Sequence, residues 1–306
     1  MGMQFAVETR GLSKQFGEVH ALRALDLAVP AGCIYGLLGR NSAGKTTAIK
    51  TLMGMVRATS GEARVLGARV GTGRDEAAVR RRVGHVGEDR GAWPDLTVGQ
   101  ILAVSRPMFP AWRHDLERRY LSAFGIPERG AVGSFSKGTR AALAFVLALS
   151  RGPDLLLLDE PTEGLDPVMK ERLLQALVAA AAESAGLTVV ISSHQLDEVE
   201  QITDRVGIID RGHLVFDETL DDLKASYRRV VAVFDGVPPT DLQRASGVRR
   251  VRVEGRMISM LVNGRVDEIV SHARQQQARE VEVVPVTLKD IFLDVASEAS
   301  QGGQER

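Results

Sequence analysis

Residues 39–47 read GRNSAGKTT. The stretch fits the spacing G-x-x-x-x-G-K-[ST], and its flanks are those the spacing requires. An apolar, strand-like run, CIYGLLG (33–39), leads into it, and a helix-like run, TTAIKTLMGM (46–55), leads out. Gly39 and Gly44 let the chain turn tightly, so that the N–H groups of Arg40, Asn41, Ser42 and Ala43 converge on phosphate oxygens. The start of the following helix, at Thr46 and Thr47, adds partial positive charge. Lys45 is placed to reach the β- and γ-phosphates, and the Thr46 hydroxyl to bind Mg²⁺. A glycine-rich turn with a chance lysine is the bland alternative; the strand before it and the helix after it weigh against that.

LLLLDEP (155–161) supplies acids to match. A run buried on both faces ends in Asp159, a carboxylate able to hold Mg²⁺ beside the cradle. Glu160 follows and could polarise an attacking water. Without a phosphate loop, two acids after a strand would read as a solvated helix cap.

Working outward, LDLAVP (25–30) alternates like a half-exposed strand, while LLLLD (155–159) and LTVVIS (187–192) are short apolar runs of the parallel-sheet kind. Between the latter two, VMKERLLQALVAAAAES (168–184) has helical spacing, which makes a strand–helix–strand unit. RVGIIDRGHLVFDE (205–218) reads as a hairpin. Residues from about 90 to 150 break the alternation with helical and loop sequence, read as a helical subdomain inserted into an α/β core. From about 227 the character changes. RVVAVF, VRRVRVE, MISMLVN and EVEVVPV read as strands, with DLQRA and VDEIVSHARQQQ as helices between them and LKDIFLDVA after them. The order β-α-β-β-α-β is that of a small ferredoxin-like unit. The expected domains are residues 1–225 and 226–306.

The totals bound the class. A chain of 306 residues, 44% hydrophobic and 25% charged, with 39 basic against 39 acidic residues, is ordinary globular protein. The balanced charge argues against binding nucleic acid through overall positive charge. Cys33 stands alone, so an intramolecular disulfide framework is excluded and a reducing compartment fits. The start, MGMQFAVETR, lacks a signal-peptide core, and no window nears the ~18 apolar residues of a membrane span. Work at a membrane would need another chain to do the spanning.

Together these motifs resemble the ATPase subunit of ATP-binding cassette (ABC) transporters over about residues 4–220. The resemblance implies a P-loop cassette with an antiparallel subdomain and an inserted helical subdomain, binding ATP and Mg²⁺. SFSKGTR (134–140) stands where the family has L-S-G-G-Q, a turn that caps the γ-phosphate held by a second subunit. Ser136 offers a hydroxyl, Lys137 a charge, Gly138 close approach, and the following helix its positive end. In the same way Asp166, in PTEGLDP, is expected to communicate across the dimer. His194, in ISSHQ, is expected to contact the γ-phosphate and position water with Glu160; a lone histidine after a strand would otherwise read as structural. Phe16 is placed to stack on adenine, with a core position as its alternative. Glu88 takes the place of the usual Mg²⁺-sensing glutamine and could itself bind Mg²⁺. The signature's Lys137 and Thr139 depart from the family's glycine and glutamine.

The implied function is ATP hydrolysis by paired subunits, identical or related, around two Mg–ATP. They would drive a separate transmembrane permease from the cytoplasmic face of the membrane. The S-K-G signature, FPAW (109–112) and VTLKDIFLDV (286–295) resemble a bacterial, export-type subgroup. The alternative is a soluble ABC ATPase acting on ribosomes or DNA. Neither tandem cassettes nor long coiled coil is present, and the arginines of GVRRVRVEGR (247–256) suit a solvated strand face. A nucleotide-binding regulator without catalysis would need an inert Glu160.

Overall fold

The computed structural model describes residues 4–71, 76–87, 93–184 and 186–294. Two sheets build the first part of the chain. One is antiparallel, with β1 (Phe5–Phe16) between β2 (Val19–Leu25) and β5 (Ser60–Val65); β6 (Ala68–Arg69) pairs β5, and β3 (Ala28–Pro30) also pairs β1. The alternation of LDLAVP is real, since Leu25, Leu27 and Val29 are buried and Asp26 is exposed. It is nevertheless two strands and not one. The Thr9 hydroxyl donates to Leu25 O (2.7 Å) and accepts from Leu27 N (2.8 Å), which puts a side chain into the gap in the ladder.

The second sheet runs in the order β11 (His213–Thr219), β10 (Arg205–Asp210), β4 (Ile34–Leu38), β9 (Thr188–Ser193), β8 (Leu155–Asp159), β7 (Val83–Val86). The pairs from β10 to β7 are all parallel. Every residue of β4, β8 and β9 is buried, as central strands covered on both faces must be. The period of two sends Leu155 and Leu157 to one hydrophobic cluster and Leu156 and Leu158 to another. β10 and β11 form the expected hairpin, turning at Arg211 and Gly212 with φ of 48° and 85°, the left-handed pair of a tight hairpin turn.

Helix α1 (Lys45–Leu52) belongs to one cluster. Helices α3 (Val98–Met108), α4 (His114–Ala123), α5 (Lys137–Ser150) and α6 (Pro167–Glu183) contribute to the other. A short α2 (Glu76–Arg81) precedes β7, and a 3₁₀ turn, Val132–Ser134, precedes α5. The inserted segment is thus helical from Val98 to Ser150, broken by loops. Thr97 begins α3 with a capping box to Gln100. Glu117, buried in α4, accepts from Arg106 Nε (3.0 Å), Arg106 Nη2 (2.6 Å) and Trp112 Nε1 (2.7 Å), and so explains the tryptophan of FPAW.

The chain divides into two compact units: residues up to Gln195 with Ile202–Leu214, and Leu196–Gln201 with Val215 onward. The second unit holds α7 (Leu196–Val199), α8 (Leu220–Ser226) and an antiparallel sheet in the order β13 (Val248–Glu254), β14 (Met257–Asn263), β12 (Tyr227–Val233), β15 (Glu280–Val284). α9 (Thr240–Gln243) and α10 (Val266–Gln275) supply Leu242, Ile269 and Ala273 to a core with Val230, Ile258 and Met260. Residues 288–294 are helical.

Candidate nucleotide site

The parallel register puts the carboxyl ends of β4, β8 and β9 side by side, where open α/β sheets bind their ligands. The loop after β4 is the 39–47 stretch. A β-carbon on Gly39 would clash with the Ile209 carbonyl oxygen; one on Gly44, at φ 115°, would lie 2.6 Å from Ala21 O. Both positions therefore need glycine, for space at the first and for space and backbone angle at the second. Ser42 takes φ 65°, and α1 begins at Lys45 with no side-chain cap. The N–H groups of its first turn lack earlier carbonyl partners in the helix, as a phosphate cradle requires.

Lys45 is folded back into the loop. Its Nζ donates to Gly39 O (2.8 Å) and lies 3.1 Å from Glu160 Oε1, and the ammonium is almost fully buried. The Thr46 hydroxyl donates to Asp159 Oδ1 at 3.1 Å. Register pairs Asp159 with Ser192 on β9. The Ser192 hydroxyl donates to the same Oδ1 (2.7 Å) and accepts from Glu160 N (3.1 Å). His194, just beyond β9, places Nδ1 2.9 Å from Glu160 Oε2. Residues from three strand ends thus form one chain, Lys45–Glu160–His194, next to a hydroxyl and carboxylate pair, Thr46 and Asp159.

Chemically, the pair is hard-oxygen donor chemistry suited to Mg²⁺, which takes one or two protein oxygens and completes its shell from phosphates and water. Glu160 has one oxygen on a cation and the other on an imidazole, with φ 47°. A non-glycine residue in that region stores strain that its surroundings must enforce; here Ser192 does so at its N–H. Ser192 was not singled out from the sequence. Its only signal was a small polar residue ending an otherwise apolar run.

The other candidates lie apart from this chain. Phe16 is 49% exposed, so its core alternative fails; Lys14 Nζ sits 4.6 Å from its ring centre. Ser136 is the N-cap of α5, its Oγ accepting from Thr139 N at 3.0 Å. Gly138 packs against Met169: a β-carbon would lie 3.2 Å from Met169 Cγ. Its lack of a side chain therefore already serves its own subunit. Lys137 lies against Gly164. Asp166 caps α6, accepting from Val168 N (3.1 Å) and Met169 N (3.0 Å). Glu88 lies outside the described residues.

No helix among the described residues is long and apolar enough to cross a membrane. Residues 22–163 match the family model described as "ABC transporter". A second match, over residues 128–200, is to "AAA domain, putative AbiEii toxin, Type IV TA system". The chain is 36% identical over 230 residues to the bacitracin transport ATP-binding protein BcrA of Bacillus licheniformis, covering 74% of each chain. It is 36% identical over 226 residues to the daunorubicin/doxorubicin resistance ATP-binding protein DrrA of Streptomyces peucetius, covering 72% of this chain and 67% of that one. With the daunorubicin resistance ATP-binding protein DrrA2 of Streptomyces coeruleorubidus the match is 31% but runs over 99% of this chain and 98% of the relative. A solved ATP-binding subunit of an ABC transporter superposes with a TM-score of 0.64 at 26% identity, over 72% of this chain and 92% of that one. A dimeric cassette bound to ADP and Pi shares the fold, with a TM-score of 0.62 at 23% identity, over 70% and 98%. The chain belongs to the ATP-binding proteins of ABC transporters: it is an ATPase whose hydrolysis drives transport.

Proposed function

We propose that two such subunits close around two Mg–ATP and drive a separate membrane permease in the export direction. The observation that carries this reading is the Lys45–Glu160–His194 chain at the mouth of the phosphate loop, its first two members buried. Lys45 and Glu160 lie 3.1 Å apart and so face the same γ-phosphate position. The γ-phosphate takes over Lys45 and leaves Glu160, still oriented by His194, free to accept a proton from an in-line water. Lys45 then stabilises the charge developing on the transferred group. Thr46 and Asp159, with Glu88, are the residues to hold Mg²⁺, which when bound neutralises phosphate charge. Phe16 supplies an exposed ring for adenine.

In this reading Ser136, Lys137 and Gly138 cap the partner's γ-phosphate, and Asp166 lies at the shared interface. The Ser136 hydroxyl accepts from Thr139 N and lies 2.9 Å from the Thr139 hydroxyl, so its own proton reaches a second partner when the Thr139 hydroxyl is the donor between them. Residues 226–306 form a ferredoxin-like accessory domain; the sheet order β13-β14-β12-β15 supports this, since it places the first and third strands of the unit side by side in the middle. Export is supported by what the relatives are named for, bacitracin transport and daunorubicin resistance. The permease holds the subunit at the cytoplasmic membrane face, and nucleic acid has no part.

Purification from solubilised membranes tests the reading. Co-purification with a polytopic membrane protein is expected, whereas RNA in its place would favour a ribosome-acting ATPase. Glu160→Gln is expected to keep ATP binding and lose at least about a hundredfold in turnover; phosphate release at the wild-type rate would remove Glu160 from its role.

A further inference from the structure

Four basic side chains line one cavity of about 520 Å³: Lys50 from α1, His85 from β7, Arg140 from α5 and Arg151 just past its end. Among the described residues no carboxylate pairs with any of the four. Arg151 is the most constrained. Its guanidinium carbon sits 4.4 Å from the centre of the Phe109 ring, and its Nε is buried with no hydrogen-bond partner among the described residues. Burial holds its pKa below the ordinary guanidinium value. A buried charged donor left unmet is costly, and basic groups around one space repel one another. An anion in that space relieves both.

Two elements bring the cavity next to the nucleotide site. Lys50 follows Thr46 by four residues in α1, and so shares its face of the helix. The parallel register Val86↔Leu158 carries Gly87, which also lines the cavity, to the level of Asp159. His85 feels the same surroundings. Burial lowers its pKa below the ordinary 6.5, the Asp159 charge opposes this, and the charges of Arg151 and Lys50 add to it. An anion formed beside Thr46 and Asp159 therefore has a basic space adjoining it.

We propose that this cavity is a second phosphate site, which receives the inorganic phosphate cut from ATP before it leaves the protein. The proposal rests on the γ-phosphate lying at Lys45 and Thr46, as read above, and adds the place to which the product moves. The acceptor oxygens of phosphate match the forked donors of two guanidinium groups.

The test titrates inorganic phosphate into full-length E160Q protein saturated with ATP. The uncut γ-phosphate fills its own position, so added phosphate must bind elsewhere. Calorimetry is expected to show one phosphate per subunit. R151M in the same background is expected to weaken that binding about tenfold, as loss of a hydrogen bond between charged groups should, and R151K to retain most of it. K50Q, at an exposed position, is expected to weaken it several-fold, which keeps the test in force should R151M fold poorly. In steady-state hydrolysis by wild type, added phosphate is expected to lower kcat without raising KM for ATP, and R151M to relieve that inhibition. No phosphate uptake by ATP-loaded E160Q, uptake unaffected by R151M and K50Q, or inhibition that competes with ATP would each overturn the proposal. Unaffected uptake together with lost co-purification of R151M with the permease would make an acidic partner side chain the occupant. ATP binding by E160Q, measured first without phosphate, reports separately on the nucleotide-site reading; where it is absent, the inhibition pattern of wild type still decides the second site.

Discussion

At the scale of single residues, the site depends on small polar groups as much as on the motif residues. His194 touches only one oxygen of Glu160, at 2.9 Å, and is partly exposed. Its replacement by alanine is expected to cut kcat by about 10²–10⁴ while leaving nucleotide affinity within a few-fold, as loss of a group that orients a base should; stopped-flow phosphate release separates the two. Ser192→Ala removes a buried hydroxyl bonded to both Asp159 and Glu160 N. It is expected to cost about 1–3 kcal/mol of stability, the range for leaving buried partners unmade, read by chemical denaturation. The positions of Lys45, Thr46, Asp159 and Glu160 follow from motif spacing beside strand ends, whereas His194 was named only through the family resemblance, since a lone histidine after a strand otherwise reads as structural. Ser192, the left-handed backbone of Glu160 and the direction of the Lys137 stem were not legible. A hydroxyl between strands, a strained φ and a lysine lying across a loop depend on what register and packing bring near, which a linear spacing does not encode.

Among the elements, the all-buried strands were the most legible, because unbroken apolar runs such as LLLLD and LTVVIS admit few other readings. LDLAVP shows the limit. Its alternation predicted the exposure of every residue, but the break at Thr9 comes from β1, sixteen residues away in sequence from Leu25. The α3–α4 pair has a further consequence. Burial alone would raise the pKa of Glu117, but hydrogen bonds from Arg106 and Trp112 outweigh it and hold the carboxyl below its ordinary 4.5. A carboxylate depressed on folding adds stability that is present above its unfolded pKa and lost as pH falls through the folded one. Thermal melts from pH 7 down to 3 are therefore expected to show a steeper acid decline for wild type than for E117Q. At pH 7 the truncation E117A is expected to cost about 1–3 kcal/mol, because the buried Trp112 indole N–H loses its acceptor while the half-exposed Arg106 turns to water. Equal acid slopes would mean that Glu117 contributes only packing.

For the whole molecule, the sequence reads as an α/β cassette followed by a β-rich tail, and the second unit holds an antiparallel sheet with its own core. Less legible was that the second unit also takes Leu196–Gln201, four residues of it the helix α7, from within the cassette's span. Those residues are held there by contacts such as Glu200 with Leu288 N (3.0 Å) and Lys224 (2.7 Å), between segments far apart along the chain. The central claim is that Ser136–Gly138 serves a nucleotide held by another copy, and complementation tests it most directly. K45A disables the phosphate loop but leaves the turn. S136E leaves the phosphate loop but sets a negative charge against the partner's phosphate, at a helix end that accepts acid well. Each variant alone is expected to be inactive. An equimolar mixture should regain about a quarter of wild-type hydrolysis, since half of randomly formed pairs are mixed and each mixed pair has one complete site. A mixture as inactive as its components, or an S136E protein that hydrolyses ATP normally by itself, would contradict the account.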